Sequence, residues 1–163
     1  MNHFRLAGLS LLTVILQGSF FTHFPIGGAT LHLAIPFIVN VGIYVGPLPA
    51  SICGAVIGLI EDISTGNAIG VRGLLYFWIG YFAGVMKDQV NDDDARPAVL
   101  ISVGATFVFF ILYAFISRFM SQTGGFLLYL KGPLVIEALL NGLMAWVLHI
   151  VLRRVLRLPR LYS

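Results

Sequence analysis

Glu61 and Asp62 stand side by side at the end of an apolar run, and Arg72 follows ten residues after Asp62. Ionisable groups in such surroundings are rare, and they normally pair with one another or face a cavity. Three chemistries are open to this set: a structural ion pair that fixes a helical hairpin, a partner or ligand contact, or proton transfer. Anions at a helix C-terminus are disfavoured by the helix dipole. Arg72, about one turn into the following helix, could reach the same depth and neutralise one of them. A second set is Glu137, Asn141 and His149, whose spacings of four and eight place them on one helical face with Ala145 between. Such a face either clamps the helices of a bundle or lines a polar pocket. Asn141 is expected to bond across to another helix, with Asn40 as the candidate. Asn40, Glu137 and Asn141 are therefore read as a structural polar clamp, although Glu137 lies near the helix end and could be interfacial.

The remaining candidates carry less chemistry. Asp92, Asp93 and Asp94 are consecutive, so their carboxylates point in different directions and lack a ligand framework; a solvated loop is expected, and no metal site. Phe77, Trp78, Tyr81, Phe82 and Trp146 read as packing or lipid-facing groups. No nucleophile–histidine–acid set, phosphate loop, zinc spacing or dinucleotide fingerprint occurs. We therefore expect no enzyme activity and no cofactor.

Glycines set the packing. Gly42 and Gly46, Gly54 and Gly58, and Gly80 and Gly84 each form a G-x-x-x-G pair. Glycines four apart leave a flat strip where another backbone can approach closely. The strips serve either internal packing or the docking of a partner's transmembrane helix. For a partner, the expected contact set is Gly54, Gly58, Glu61, Asp62, Arg72, Gly80 and Gly84.

The elements that position these residues follow from composition. The chain has 163 residues, of which 58% are hydrophobic and 10% charged, and its mean hydropathy is +0.93. Soluble domains carry roughly 25% charge, so this chain cannot coat a globule in water. We expect an all-α, polytopic membrane protein: one domain over residues 1–163, a bundle of about six transmembrane helices. Pro/Gly and polar punctuation divides it into helices at about Phe4–Phe21, Leu31–Val45, Ala50–Ile63, Ala68–Met86, Ala98–Ile116 and Pro133–Leu152. Gly46-Pro47-Leu48-Pro49 is read as a tight turn, which leaves the third helix short for a span. Asn67 is read as the N-cap of the fourth. The apolar run from Leu6 lacks a small-residue cleavage site and is read as a retained first helix. Cys53, the single cysteine, cannot make an intramolecular disulfide.

With six spans, one side carries Arg5, Lys87, Arg96, Arg153, Arg154, Arg157 and Arg160, and the other only Arg72, Arg118 and Lys131. The excess of positive charge marks the cytoplasmic side, so both termini are expected there. The net charge of +3 is explained by these flanking residues, without nucleic acid as a partner.

One segment resembles a known family. Pro47-Leu-Pro-Ala-Ser-Ile-Cys-Gly-Ala-Val-Ile-Gly-Leu-Ile-Glu-Asp leads to Gly66 and Gly70, then to Leu75-Tyr-Phe-Trp-Ile-Gly-Tyr-Phe-Ala-Gly. A glycine-spaced helix ending in G-L-x-x-D, a turn, a glycine and a Tyr/Gly-bearing helix is the pattern of the MreD family, and Gly58, Leu59, Asp62, Gly70, Tyr76 and Gly84 match it. The resemblance implies a non-enzymatic scaffold of the bacterial cell-elongation machinery, in the cytoplasmic (inner) membrane. Its implied partners are an MreC-like bitopic membrane protein, the actin-like MreB, and the complex of RodA with a penicillin-binding protein. It also implies a fold similar to the substrate-binding subunits of energy-coupling-factor transporters. A vitamin-binding subunit of such a transporter is the alternative function.

Overall fold

The structure is a computed structural model that describes residues 3–16, 32–65, 70–90, 94–119 and 133–156. These form six α-helices: α1 (His3–Leu16), α2 (Ala34–Val45), α3 (Pro47–Thr65), α4 (Val71–Val85), α5 (Arg96–Phe119) and α6 (Pro133–Leu156). A short 3-10 turn, Met86–Gln89, extends α4, and no strand occurs among the described residues. The all-α reading holds.

The boundaries correct the sequence reading where prolines were taken as breakers. Pro47 and Pro49 lie in the first turn of α3, not in a loop. Backbone N–H groups of a first helical turn have no intrahelical acceptor, so a proline there removes nothing the helix uses. The chain reverses at Gly46 alone, with φ 118° and ψ 179°, a conformation that side-chain-bearing residues rarely adopt. Consequently α3 has 19 residues and is long and apolar enough to cross a membrane, contrary to the short helix expected. α4 begins at Val71, preceded by Gly70 with φ 98°, and Asn67 lies outside the described residues.

Among the described residues, three helices are long and apolar enough to span: α3, α5 over Arg96–Ile116, and α6 over Leu134–Arg154. α2 has only 12 residues, about 18 Å of helix against a hydrocarbon core of about 30 Å. Residues 33–43 are all buried, as a helix apolar around its whole circumference must be. α3, α4, α5 and α6 all pack on α2, which is the central post of the bundle.

Candidate functional site

The α3–α4 pair is joined by backbone approach. A β-carbon at Gly58 would lie 2.5 Å from the Gly73 nitrogen, and one at Gly80 would lie 2.5 Å from the Ala50 carbonyl oxygen. At Gly54 it would strike the Tyr76 carbonyl, and at Gly84 the backbone of Pro47. Gly42 of α2 closes on Gly84 from the other side, 2.8 Å from its nitrogen by the same measure. The sequence reading left these strips to internal packing or to a partner's helix; in the structure Gly54, Gly58, Gly80 and Gly84 are taken up by the packing of α3 and α4 on one another.

Asp62 is fully buried at the end of α3. Its Oδ2 accepts from the backbone N–H groups of Gly70 at 2.9 Å and Arg72 at 3.0 Å. The carboxylate thus sits at the N-terminus of α4, where the dipole favours an anion, which offsets its unfavourable place on α3. Its Oδ1 lies 3.8 Å from Arg72 Nε. The same guanidinium donates to Thr65 Oγ1 at 3.2 Å and lies 5.5 Å from the centre of the Tyr113 ring. Glu61 Oε2 accepts from the Tyr76 hydroxyl at 3.0 Å. Tyr76 is fully buried and stacks on Phe109 at 5.1 Å. Tyr76 was missed as a partner of Glu61, although Arg72, Tyr76, Gly80 and Gly84 recur every four residues and so share one face of α4.

The polar face of α6 lies inside the bundle: Glu137, Asn141, Ala145 and His149 are all buried. Glu137 lies near the start of α6. It has no exposed surface and faces His32 Nε2 at 2.9 Å. Asn141 does not meet Asn40; its Nδ2 donates to Thr106 Oγ1 of α5 at 3.0 Å. Asn40 Nδ2 donates instead to the Pro36 carbonyl at 2.8 Å and to the Ala145 carbonyl at 3.2 Å. The Tyr44 hydroxyl meets His149 Nδ1 at 2.9 Å. Three of these links, His32–Glu137, Asn40–Ala145 and Tyr44–His149, share one sequence offset of 105 residues. α2 and α6 therefore run parallel and in register along their common length.

The two polar sets meet at one end of the bundle, where Glu61 lies within electrostatic reach of His32 as well as Arg72 and Asp62. Glu61 Oε1 and Glu137 Oε2 have no hydrogen-bond partner there. Chemically the arrangement fixes helix register. Among the described residues no three His, Cys, Asp or Glu side chains converge as a metal site. Asp92 and Asp93 lie outside the described residues, and Asp94 accepts from the backbone N–H of Arg96 at 3.0 Å, at the start of α5. What the hairpin presents outward is apolar: Ile52, Val56, Leu59 and Ile63 on α3, and Leu74, Trp78, Phe82 and Val85 on α4. Trp78 and Phe82 stack at 5.7 Å on that outer face, and Trp146 of α6 is half exposed.

Comparison with known proteins adds a family. No curated protein and no solved structure matches the chain. A family model, that of the rod shape-determining protein MreD, matches residues 3–158, nearly the whole length. With apolar helices long enough to span a membrane and a match that runs from α1 to the end of α6, this chain belongs to the rod shape-determining protein MreD family.

Proposed function

We propose that the protein is a non-enzymatic scaffold of the cell-elongation machinery in the bacterial cytoplasmic membrane, and that it binds an MreC-like bitopic partner beside MreB and the RodA–penicillin-binding protein complex. The family match over residues 3–158 carries this reading. The six-span layout, with both termini cytoplasmic, goes with it. The parallel run of α2 and α6 fits three crossings between them, by α3, α4 and α5, and the positive charges favour the same side for both ends.

The partner-binding element is the α3–α4 hairpin. Gly54, Gly58, Gly80 and Gly84 make it one rigid unit, and Glu61, Asp62 and Arg72 fix its end. The partner's transmembrane helix lies on the outward stripe of Leu74, Trp78 and Phe82. Helices associate in lipid through close packing, since lipid tails are as apolar as leucine. A rigid aromatic ridge offers such packing with little entropy to lose. The test is co-purification of the bitopic partner from membranes, with inserted protein quantified in parallel. Trp78→Ala with Phe82→Ala should lower partner recovery about tenfold or more, a loss of about 1.4 kcal/mol, while the protein accumulates normally. Unchanged recovery would overturn the hairpin as the contact. Tight, saturable vitamin binding by the purified chain, with no partner recovered, would overturn the scaffold and favour a transporter subunit.

A further inference from the structure

At the end of α6 opposite the Glu61 cluster, His149, Ile150, Arg153 and Arg154 line an open cleft of about 390 Å³. His149 is 3% exposed, and its ring is held by the Tyr44 hydroxyl. Arg153 is half-buried, whereas Arg154 is exposed and makes no hydrogen bond or ion pair with a described residue. Beside them, at the end of α2, Lys87 Nζ donates to the Val45 carbonyl at 3.3 Å. Cationic side chains thus gather where α2 and α6 end. Among the described residues of the α4–α5 connection, Asp94 lies at the start of α5 beside Arg96, and Asp88 is exposed.

Depth narrows the ligand. The apolar stretch of α6 ends at Arg154, so the cleft opens where hydrocarbon gives way to headgroups. Ile150 and Val151, both partly exposed and apolar, lie on the hydrocarbon side of the guanidinium groups. The free carbonyls of a helix C-terminus repel anions, so any attraction must come from side chains. Guanidinium groups suit this, because their planar fork matches phosphate in a bidentate way. In the proposed layout, on which this rests, that end is cytoplasmic, and basic clefts at such a depth there are the setting in which anionic headgroups bind.

We propose that this cleft holds the phosphate of an acidic phospholipid, with Arg153 and Arg154 on the headgroup and Ile150 against the start of the acyl chains. It does not depend on partner binding through the hairpin, which lies on other helices. The experiment uses the full-length protein in detergent, titrated with phosphatidylglycerol or phosphatidylcholine and read by native mass spectrometry. The unaltered protein should retain phosphatidylglycerol preferentially. Arg154→Gln should weaken that retention about fivefold, and Arg153→Gln with Arg154→Gln about 25-fold, at about one such factor per charge near an anionic surface. Phosphatidylcholine retention should not change. The double lysine variant should fall between, and Arg96→Gln, on another helix, should leave retention intact. Because Arg154 is exposed, its single variant should keep the melting temperature of the parent, which separates lost binding from lost fold. Equal retention of the two lipids by the unaltered protein would overturn the proposal. So would undiminished retention by the double variant, an equal loss in Arg96→Gln, or full displacement by glycerol phosphate, which would make the ligand a soluble anion.

Discussion

Asp62 is the residue whose surroundings differ most from a surface carboxylate. It has no exposed area, and it accepts two backbone N–H groups and faces a guanidinium. Breaking a buried pair by removing one partner costs about 3 kcal/mol or more. Asp62→Ala should therefore lower the thermal unfolding midpoint and the amount of inserted protein, and Asp62→Asn, which keeps an acceptor for α4, should do less harm. An unchanged midpoint with selective loss of the partner would instead put Asp62 on the docking surface. Asn141 belongs to a weaker class. Its hydrogen bond to Thr106 crosses from α6 to α5, and such bonds contribute about 0.6–2 kcal/mol in membranes. Asn141→Ala should lower stability by about 1 kcal/mol, measured by reversible unfolding in detergent. These side chains were legible as a group because periodicity assigns faces. Their partners were not: a spacing of four says which residues share a face, but not which helix lies opposite. Hence Asn141 was matched with Asn40, when Thr106 stands across from it. His32 fell inside the helix read at Leu31–Val45 but lies just ahead of α2 in the structure, and nothing in its spacing paired it with Glu137.

At the scale of elements, the α3–α4 pair shows how backbone approach replaces the hydrophobic effect between helices in lipid. Gly58 and Gly104 make a controlled comparison. A β-carbon at Gly58 would overlap the Arg72–Gly73 backbone, whereas one at Gly104 of α5 meets nothing within 4 Å. Gly58→Leu should destabilise the fold by roughly 1–3 kcal/mol or more through overpacking. Gly104→Leu should be neutral or slightly stabilising, since glycine inside a helix costs about 1 kcal/mol relative to a good helix former. Equal folded yields for the two variants would remove the close-packing argument. The glycine strips themselves were visible from their spacing. That they face one another, and not an outside helix, depends on which helices fold together, and G-x-x-x-G occurs in either setting. The misplaced start of α3 has a similar origin. Proline is read as a breaker because it lacks a donor, but at Pro47 and Pro49 the helix has no use for that donor.

For the whole molecule, the layout to be checked is six spans with cytoplasmic ends. A reporter placed after Ser163 or inserted at Asp93 should read cytoplasmic, and one inserted at Gly124 should read external. A cytoplasmic signal at Gly124 would break the layout. The membrane class and the helical content were legible from composition alone, because so little charge and so much apolar length leave few other folds. The rank of each helix was not. Hydropathy sees α2 as one apolar run among several, whereas packing makes it the helix that the others surround.

That central position bears on the order of biogenesis. α2 is too short to settle across a bilayer unaided, and it carries Asn40, whose link across the bundle is to the carbonyl of Ala145 on α6, which is synthesised well after it. A single residue, Gly46, separates it from α3, so the two must leave the insertion machinery as one unit. Until α6 emerges, Asn40, Tyr44 and His32 lack the groups of α6 that they meet in the finished bundle. The nascent chain therefore carries its own mark of incompleteness. A chain ending at Phe119 should insert and then be cleared by membrane proteases within minutes, while the full chain persists, and a pulse-chase comparison of the two would reveal it.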